Sequence, residues 1–370
     1  MIEVRAVKSR ADLKRFIEFP YRLYRGDRYF VPALLTSEWE QFDRKKNPFF
    51  EHAEADLFLA LDGNTVVGRV AAIEDRSYNE FHEERAALFG HFEATSLDVT
   101  RVLLARVEEW ARGRGLDVVR GPSKVSSNDM AGMLVENFDD PPSVMMPYNK
   151  REYLDYLTGC GYTKAQDTFA WKMAVSDGLP DRVGRIAKRV EKSLNVKIRR
   201  FNFKDLPGEL AIVRGIYNRA WDRNWGFVPW TDHEIKHMGD ELKLVADREV
   251  SMIAEVNGEP VGVSIMIPDI NLLLRGTGGR LFPLGLPKLL LGKPKRGRLA
   301  VLGIVPEFRA RGLDAVLYAE SFWRGQKKYT SGEFGWTLES NQNITDGMKA
   351  LGAQPYKRYR VLERRLTVKP

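Results

Sequence analysis

Val301-Leu302-Gly303-Ile304-Val305-Pro306-Glu307-Phe308-Arg309-Ala310-Arg311-Gly312-Leu313-Asp314-Ala315 reads as a buried strand, a short basic turn with one glycine, and the first turn of a helix. A strand that passes through a glycine turn into a helix presents unpaired backbone N–H groups at the positive end of the helix dipole. Such a point is a ready anion site. Arg309 and Arg311 add positive charge to it.

The rest of the chain sets the context for this turn. At 370 residues it is too long for one ordinary core and suits two domains. The composition is 44% hydrophobic and 29% charged, typical of a globular protein. A single cysteine, Cys160, excludes an internal disulfide and fits a reducing compartment. Met1-Ile2-Glu3-Val4-Arg5 starts like a strand and lacks the apolar core of a signal peptide. No run of 18 apolar residues occurs, so no membrane span is expected. Residues 1–178 hold 24 Lys and Arg against 29 Asp and Glu; residues 179–370 hold 34 against 21. The basic second half is therefore the place to look for anion binding.

The two halves repeat one another weakly but in order. Phe30-Val31-Pro32 and Phe227-Val228-Pro229 each follow an aromatic, helix-like segment, at an offset of 197. A hairpin follows in each half, turning at Asp62-Gly63-Asn64 and at Asn257-Gly258. Val67-Gly68 and Val261-Gly262 match at an offset of 194. Gly161 and Gly352 close a short helix before a last strand in each half, at an offset of 191. Each half reads strand, helices, hairpin, strand, helix, strand, helix, strand. The predicted domains are 1–178 and 179–370, linked by Ser176 to Pro180 and a helix over Arg182 to Leu194.

This order of elements, with Val305, Pro306, Arg309, Gly312 and Leu313 in a V-x-P-x-x-R-x-x-G-x turn that opens a helix, resembles the GNAT superfamily of acyl-CoA N-acyltransferases. The chain as a whole resembles a bacterial group of proteins with two GNAT folds in tandem, and Trp221 to Pro229 is part of that likeness. The resemblance implies an α/β fold with a mixed sheet in each half. It implies an acyltransferase that uses acetyl-CoA or a longer acyl-CoA as co-substrate and needs no metal. The CoA pyrophosphate would lie on the backbone of Arg309, Ala310, Arg311, Gly312, Leu313 and Asp314, and the pantetheine arm along Leu302, Ile304 and Val305. Asn341 resembles the family's asparagine near the cofactor. Asp314 stands where the family has Gly or Ala, and its side chain is expected to point away from the phosphates, with Arg309 and Arg311 offsetting its charge. Met348 stands where the family has its catalytic tyrosine. In the first half the matching turn, His91 to Leu97, has no glycine, no arginine and one carboxylate, so that half reads as a degenerate copy without CoA.

Several residues carry two readings. Glu339, at the end of the strand Phe334 to Glu339, is a candidate general base or a solvated carboxylate. Tyr359 is a candidate general acid or a packed strand residue, with Tyr356 as a substitute. Trp221, Trp225 and Trp230 line a substrate pocket or fill the core. Ser126 and Asn128, in the polar stretch Ser126 to Met130, contact a substrate or bond their own loop. The amine acceptor is expected near Trp221 to Trp230 and Ser126 to Met130. His233 and His237 have metal-ligand spacing but lack a third ligand nearby, so a surface helix is expected.

Residues 271–298 carry seven basic side chains and no acidic one, among many leucines, where a tight hairpin should join two strands. This is either an ordinary long hairpin or an insertion that meets an anionic membrane or a lipid. Only Phe282 is interleaved with its cations, so nucleic acid is not an expected partner. The chain is expected to be cytoplasmic, meeting the inner membrane surface at its periphery. The expected reaction is acyl transfer to a primary amine, with a long acyl chain or a sphingoid-like lipid amine as the special case. A small-molecule or protein acetyltransferase and a non-catalytic ligand-binding protein are the alternatives.

Overall fold

The computed structural model of the protein describes residues 1–126, 128 and 132–367. The first run of elements is β1 (Ile2–Ala6), α1 (Arg10–Leu23), α2 (Leu35–Gln41), β2 (Ala53–Asp62), β3 (Thr65–Asp75), α3 (Arg76–His82), β4 (Ala86–Ala94), α4 (Leu97–Arg112), β5 (Val118–Ser123), β6 (Met133–Leu134), α5 (Tyr153–Gly159) and β7 (Thr163–Ala174). The second is α6 (Asp181–Ser193), β8 (Val196–Arg200), α7 (Leu206–Ala220), α8 (Asp232–Val245), β9 (Met252–Val256), β10 (Glu259–Pro268), α9 (Asn271–Leu274), α10 (Leu286–Leu291), β11 (Arg296–Ile304), α11 (Leu313–Gly325), β12 (Ser331–Leu338), α12 (Gln342–Ala350) and β13 (Gln354–Arg365). The repeated order of strands and helices read from the sequence is present, with α6 as the connecting helix.

Local chemistry explains the boundaries. Ser9 and Asp12 form a capping box at α1, as Thr231 and Glu234 do at α8. The turn between β9 and β10 places Asn257 at φ +54° and Gly258 at φ +84°, the left-handed pair that two-residue hairpins require. Cys160 ends α5 half-buried, and burial pushes its thiol up.

The chain forms two compact units. The first comprises Met1–Thr168, Leu274–Leu290 and Arg358–Pro370; the second comprises Phe169–Leu273 and Leu291–Lys357. In the first unit β2 pairs antiparallel with β1 and β3, β3 antiparallel with β4, and β4 parallel with β5. The last part of β13 completes that sheet, with Leu362 opposite Gly121 and Arg365 opposite Val118. In the second unit β8, β9, β10 and β11 pair antiparallel in turn and β12 joins β11 in parallel.

Each unit packs its central helix against its hairpin through a glycine. A Cβ on Gly68 would sit 2.5 Å from Val99 and 2.8 Å from Leu103 of α4. A Cβ on Gly262 would sit 3.2 Å from Leu317 of α11. The matched glycines of the sequence repeat are thus sites where a helix backbone approaches a strand. The first core centres on Phe58, Val70, Phe89, Leu103, Val107 and Tyr162. The second centres on Val213, Met252, Ile253, Val263, Leu313 and Leu317.

Candidate functional site

In the second unit β11 and β12 run side by side only from Arg296↔Ser331 to Leu299↔Phe334. β11 continues to Ile304 and β12 to Leu338. Beyond Leu299 the two strands have no backbone pairing, and a gap opens toward their C-terminal ends. The Val305 N–H donates to Val261 O of β10 at 3.0 Å. Amides alternate sides along a strand, so those of Leu302 and Ile304 face the edge that β12 has left.

The turn follows directly. Pro306–Phe308 is a single 3-10 turn, and Ala310 and Gly312 are left-handed at φ +55° and +80°. Left-handed residues this close together make the kind of backbone that gathers N–H groups around an anion. Gly312 is the N-cap of α11, and no side chain caps that helix. The first-turn amides therefore have no side-chain acceptor among the described residues. Gly312 is also constrained by packing: a Cβ there would meet Val190 at 2.9 Å and Ile186 at 3.3 Å, both on α6.

The charges around the turn are placed unequally. Arg311 is exposed and lies over the Phe308 ring at 5.4 Å. Arg309 is turned back: its guanidinium donates to Ala220 O at the end of α7, with a longer contact to Ile304 O at 3.4 Å. Asp314 is exposed, and it joins burial in holding the Tyr318 phenol above its usual range. Glu307 is held low by its own backbone amide and by Arg219, 2.8 Å away.

An aromatic wall stands beside the open half of β11. The Trp221 indole packs on Gly303, where any Cβ would collide with its six-membered ring. Tyr217 stacks on Trp221 at 4.7 Å and on Trp230 at 3.7 Å. Trp221, Trp225 and Trp230 are all half-buried at or after the end of α7.

At the base of the gap lies a polar group of which sequence reading singled out only Tyr356. Arg298 of β11 faces Glu333 of β12 at 3.4 Å and donates to Gly335 O at 2.9 Å. The Tyr356 hydroxyl donates to the other oxygen of Glu333. Beside them Arg296 bonds Asp269 at 2.6 Å, both side chains buried. The signal was available: Arg296 and Arg298 alternate along a strand otherwise too apolar to carry two outward charges.

The remaining expected site residues fall in different places. Glu339 lies one residue past β12, in an exposed turn rather than in the strand. Tyr359 is fully buried in the first unit, paired through its backbone with Leu134. Asn341 caps α12, accepting from the Ile344 N–H at 3.3 Å. Met348 is 1% exposed and belongs to the second core. In the first unit the Ser126 hydroxyl accepts from the Asn128 N–H at 3.1 Å. Ser127, Asp129 and Met130 lie outside the described residues. His233 and His237 lie on α8, and His237 sits 4.0 Å from the exposed Glu241. Among the described residues no group of three His, Cys, Asp or Glu could hold a metal, and no helix is long and apolar enough to cross a membrane.

At the matching point of the first unit the arrangement is closed. Ser96 caps α4 by accepting from the Val99 N–H at 3.3 Å. Glu93, just before it, is buried and accepts from Tyr24 at 2.8 Å and Tyr153 at 2.7 Å. Burial raises its carboxyl above the usual range.

No family model matches the chain. It is 33% identical to the bacterial ceramide synthase of Caulobacter vibrioides (strain NA1000 / CB15N) over 99% of this chain and 98% of that protein. It is 32% identical to protein YghO of Escherichia coli (strain K12) over 98% of this chain and 95% of that protein. Among solved structures, a tandem GNAT protein from the clavulanic acid biosynthesis pathway superposes with a TM-score of 0.62 at 12% identity, covering 100% of this chain and 99% of that one. A GCN5-related N-acetyltransferase from Sphaerobacter thermophilus superposes at 0.53 and 14% identity, covering 100% of this chain and 96% of that one. With the parted strands, the glycine turn and the repeated halves, these likenesses place the chain in the tandem GNAT acyltransferases, in the family that includes the bacterial ceramide synthase.

Proposed function

We propose that the chain transfers an acyl group from acyl-CoA to a primary amine, and that the amine is a lipid of the sphingoid type. The observation that carries the reading is the uncapped glycine start of α11 at the mouth of the parted strands. Its free amides and Arg311 suit a pyrophosphate, and the freed edge at Leu302 and Ile304 suits a pantetheine amide chain. All groups assigned to the acyl-CoA belong to the second unit. Arg309 serves the site indirectly, tying the end of α7 to the turn, and Asp314 faces solvent.

The chemistry joins the amine nitrogen to the thioester carbonyl carbon and breaks the carbon–sulfur bond. One proton leaves the nitrogen and one reaches the departing thiolate. Tyr356, bonded to Glu333 at the base of the gap, is the proposed proton carrier in place of Glu339 and Tyr359. The lipid acceptor rests on the 33% identity to a protein named a ceramide synthase. Trp221 and its stacked neighbours offer an apolar wall for an alkyl chain.

Calorimetry with acetyl-CoA and palmitoyl-CoA, followed by a mass-spectrometric assay with sphinganine, tests the reading. Binding of either thioester with N-acylated product is expected; no binding of either overturns it. Tyr356→Phe is expected to lower kcat by about a hundredfold or more and leave the acyl-CoA Kd unchanged. An unchanged kcat removes Tyr356 from the mechanism.

A further inference from the structure

We infer that residues 281–290 form a docking surface for an anionic lipid bilayer. Phe282, Leu284 and Leu290 are 71%, 58% and 73% exposed. Single exposed leucines are ordinary, but three large apolar side chains in nine consecutive residues expose a patch that water disfavours. Arg275, Arg280 and Lys288 of the same segment are also exposed, and no Asp or Glu occurs between Asp269 and Glu307. Exposed apolar side chains on a segment that carries cations and no carboxylate of its own match the interface of an anionic membrane, where leucines enter the acyl boundary and cations meet the headgroups.

The exposure is held in place by the fold. Leu274 is buried, and the Leu35 N–H donates to Gly279 O at 2.9 Å. Gly279 sits so close to the Ala33 carbonyl that no Cβ would fit. Arg275 donates to Arg28 O at 2.5 Å and Lys288 to Arg275 O at 3.2 Å. These bonds fix the base of the segment on the stretch that joins α1 to α2 and leave its leucines outward. They also bring the exposed Arg28 to the same neighbourhood. Within the first unit, cations from two distant parts of the chain thus share one surface. Nucleic acid would satisfy the cations but not the three apolar side chains.

Sedimentation of the full chain with vesicles tests this without any acyl transfer, so its failure would leave the proposed reaction standing. The protein is expected to sediment with phosphatidylcholine–phosphatidylglycerol vesicles and far less with phosphatidylcholine alone. Phe282→Asp with Leu290→Asp is expected to lower the partition coefficient by about tenfold or more. Arg280→Glu is expected to lower it by about fivefold and to weaken the salt dependence. Leu244→Asp, an equally exposed leucine on α8, is the control and is expected to change nothing. All these positions are exposed, and matched melting curves verify the fold. Absence of binding to the mixed vesicles, or equal loss with Leu244→Asp, overturns the inference. So does a change from dimer to monomer on Phe282→Asp and Leu290→Asp without vesicle binding, which would make the patch a self-association surface.

Discussion

The starts of α4 and α11 occupy the same place in two copies of one fold, yet they solve the same problem in opposite ways. Both helices begin with unpaired amides. At α4 Ser96 accepts from its own helix, and the buried Glu93 beside it already holds two tyrosine hydroxyls. At α11 a glycine in the left-handed region leaves the amides open, and the exposed Arg311 just before it lies over the Phe308 ring. A helix start that caps itself contributes stability, and one that does not retains its capacity for an external anion. Duplication preserved the scaffold, as the paired glycines Gly68 and Gly262 show, and left the anion-type turn in one copy.

The comparison can be broken first at Gly312. Gly312→Val places a branched side chain at φ +80° and within 2.9 Å of Val190. Loss of two charge-assisted amide contacts, at about 1.5 kcal/mol each, is roughly a hundredfold in acyl-CoA Kd. Calorimetry measures this; unchanged affinity would remove the turn from the site. The shared scaffold is tested next. Gly68→Val and Gly262→Val should each lower stability by about 1–3 kcal/mol through overpacking, read by denaturant unfolding. A neutral result at one position alone would show that the two helix–strand contacts are not equivalent. Arg311→Glu should weaken acyl-CoA binding about fivefold, with a reduced salt dependence and little change in melting temperature. The smallest effect is expected at Ser96→Ala, about 1 kcal/mol of stability with unaltered acyl-CoA affinity. A gain of acyl-CoA binding in a Ser96→Gly variant would sharpen the contrast further, by showing that the cap alone closes the first copy.

Much of this was legible in the residues. The hairpin turns at Gly63 and Gly258, the matched glycines and the order of strands and helices are local signals, and local backbone chemistry sets them. The strand-to-helix turn at Gly312 is equally local, which is why its position needed no partner to be recognised. Pairwise placement was less accessible. Tyr356 and Tyr359 are three residues apart on one strand, so both were plausible proton carriers. Packing seats Tyr359 in the core of the first unit and Tyr356 against Glu333 in the second. Arg309 and Arg311 look alike in sequence, yet one is spent on the Ala220 carbonyl.

The amino-acid sequence by itself determined the repeat, the element order, the basic second half and the site of the open helix start, because each depends on residues close together in the chain. Tertiary structure alone decided that β13 completes the first unit, that 274–290 is seated there with its leucines outward, and that β11 and β12 part after Leu299. Those outcomes depend on which strand edges find partners and on which faces are covered. Such pairings join residues hundreds of positions apart, and no local pattern of side chains encodes them.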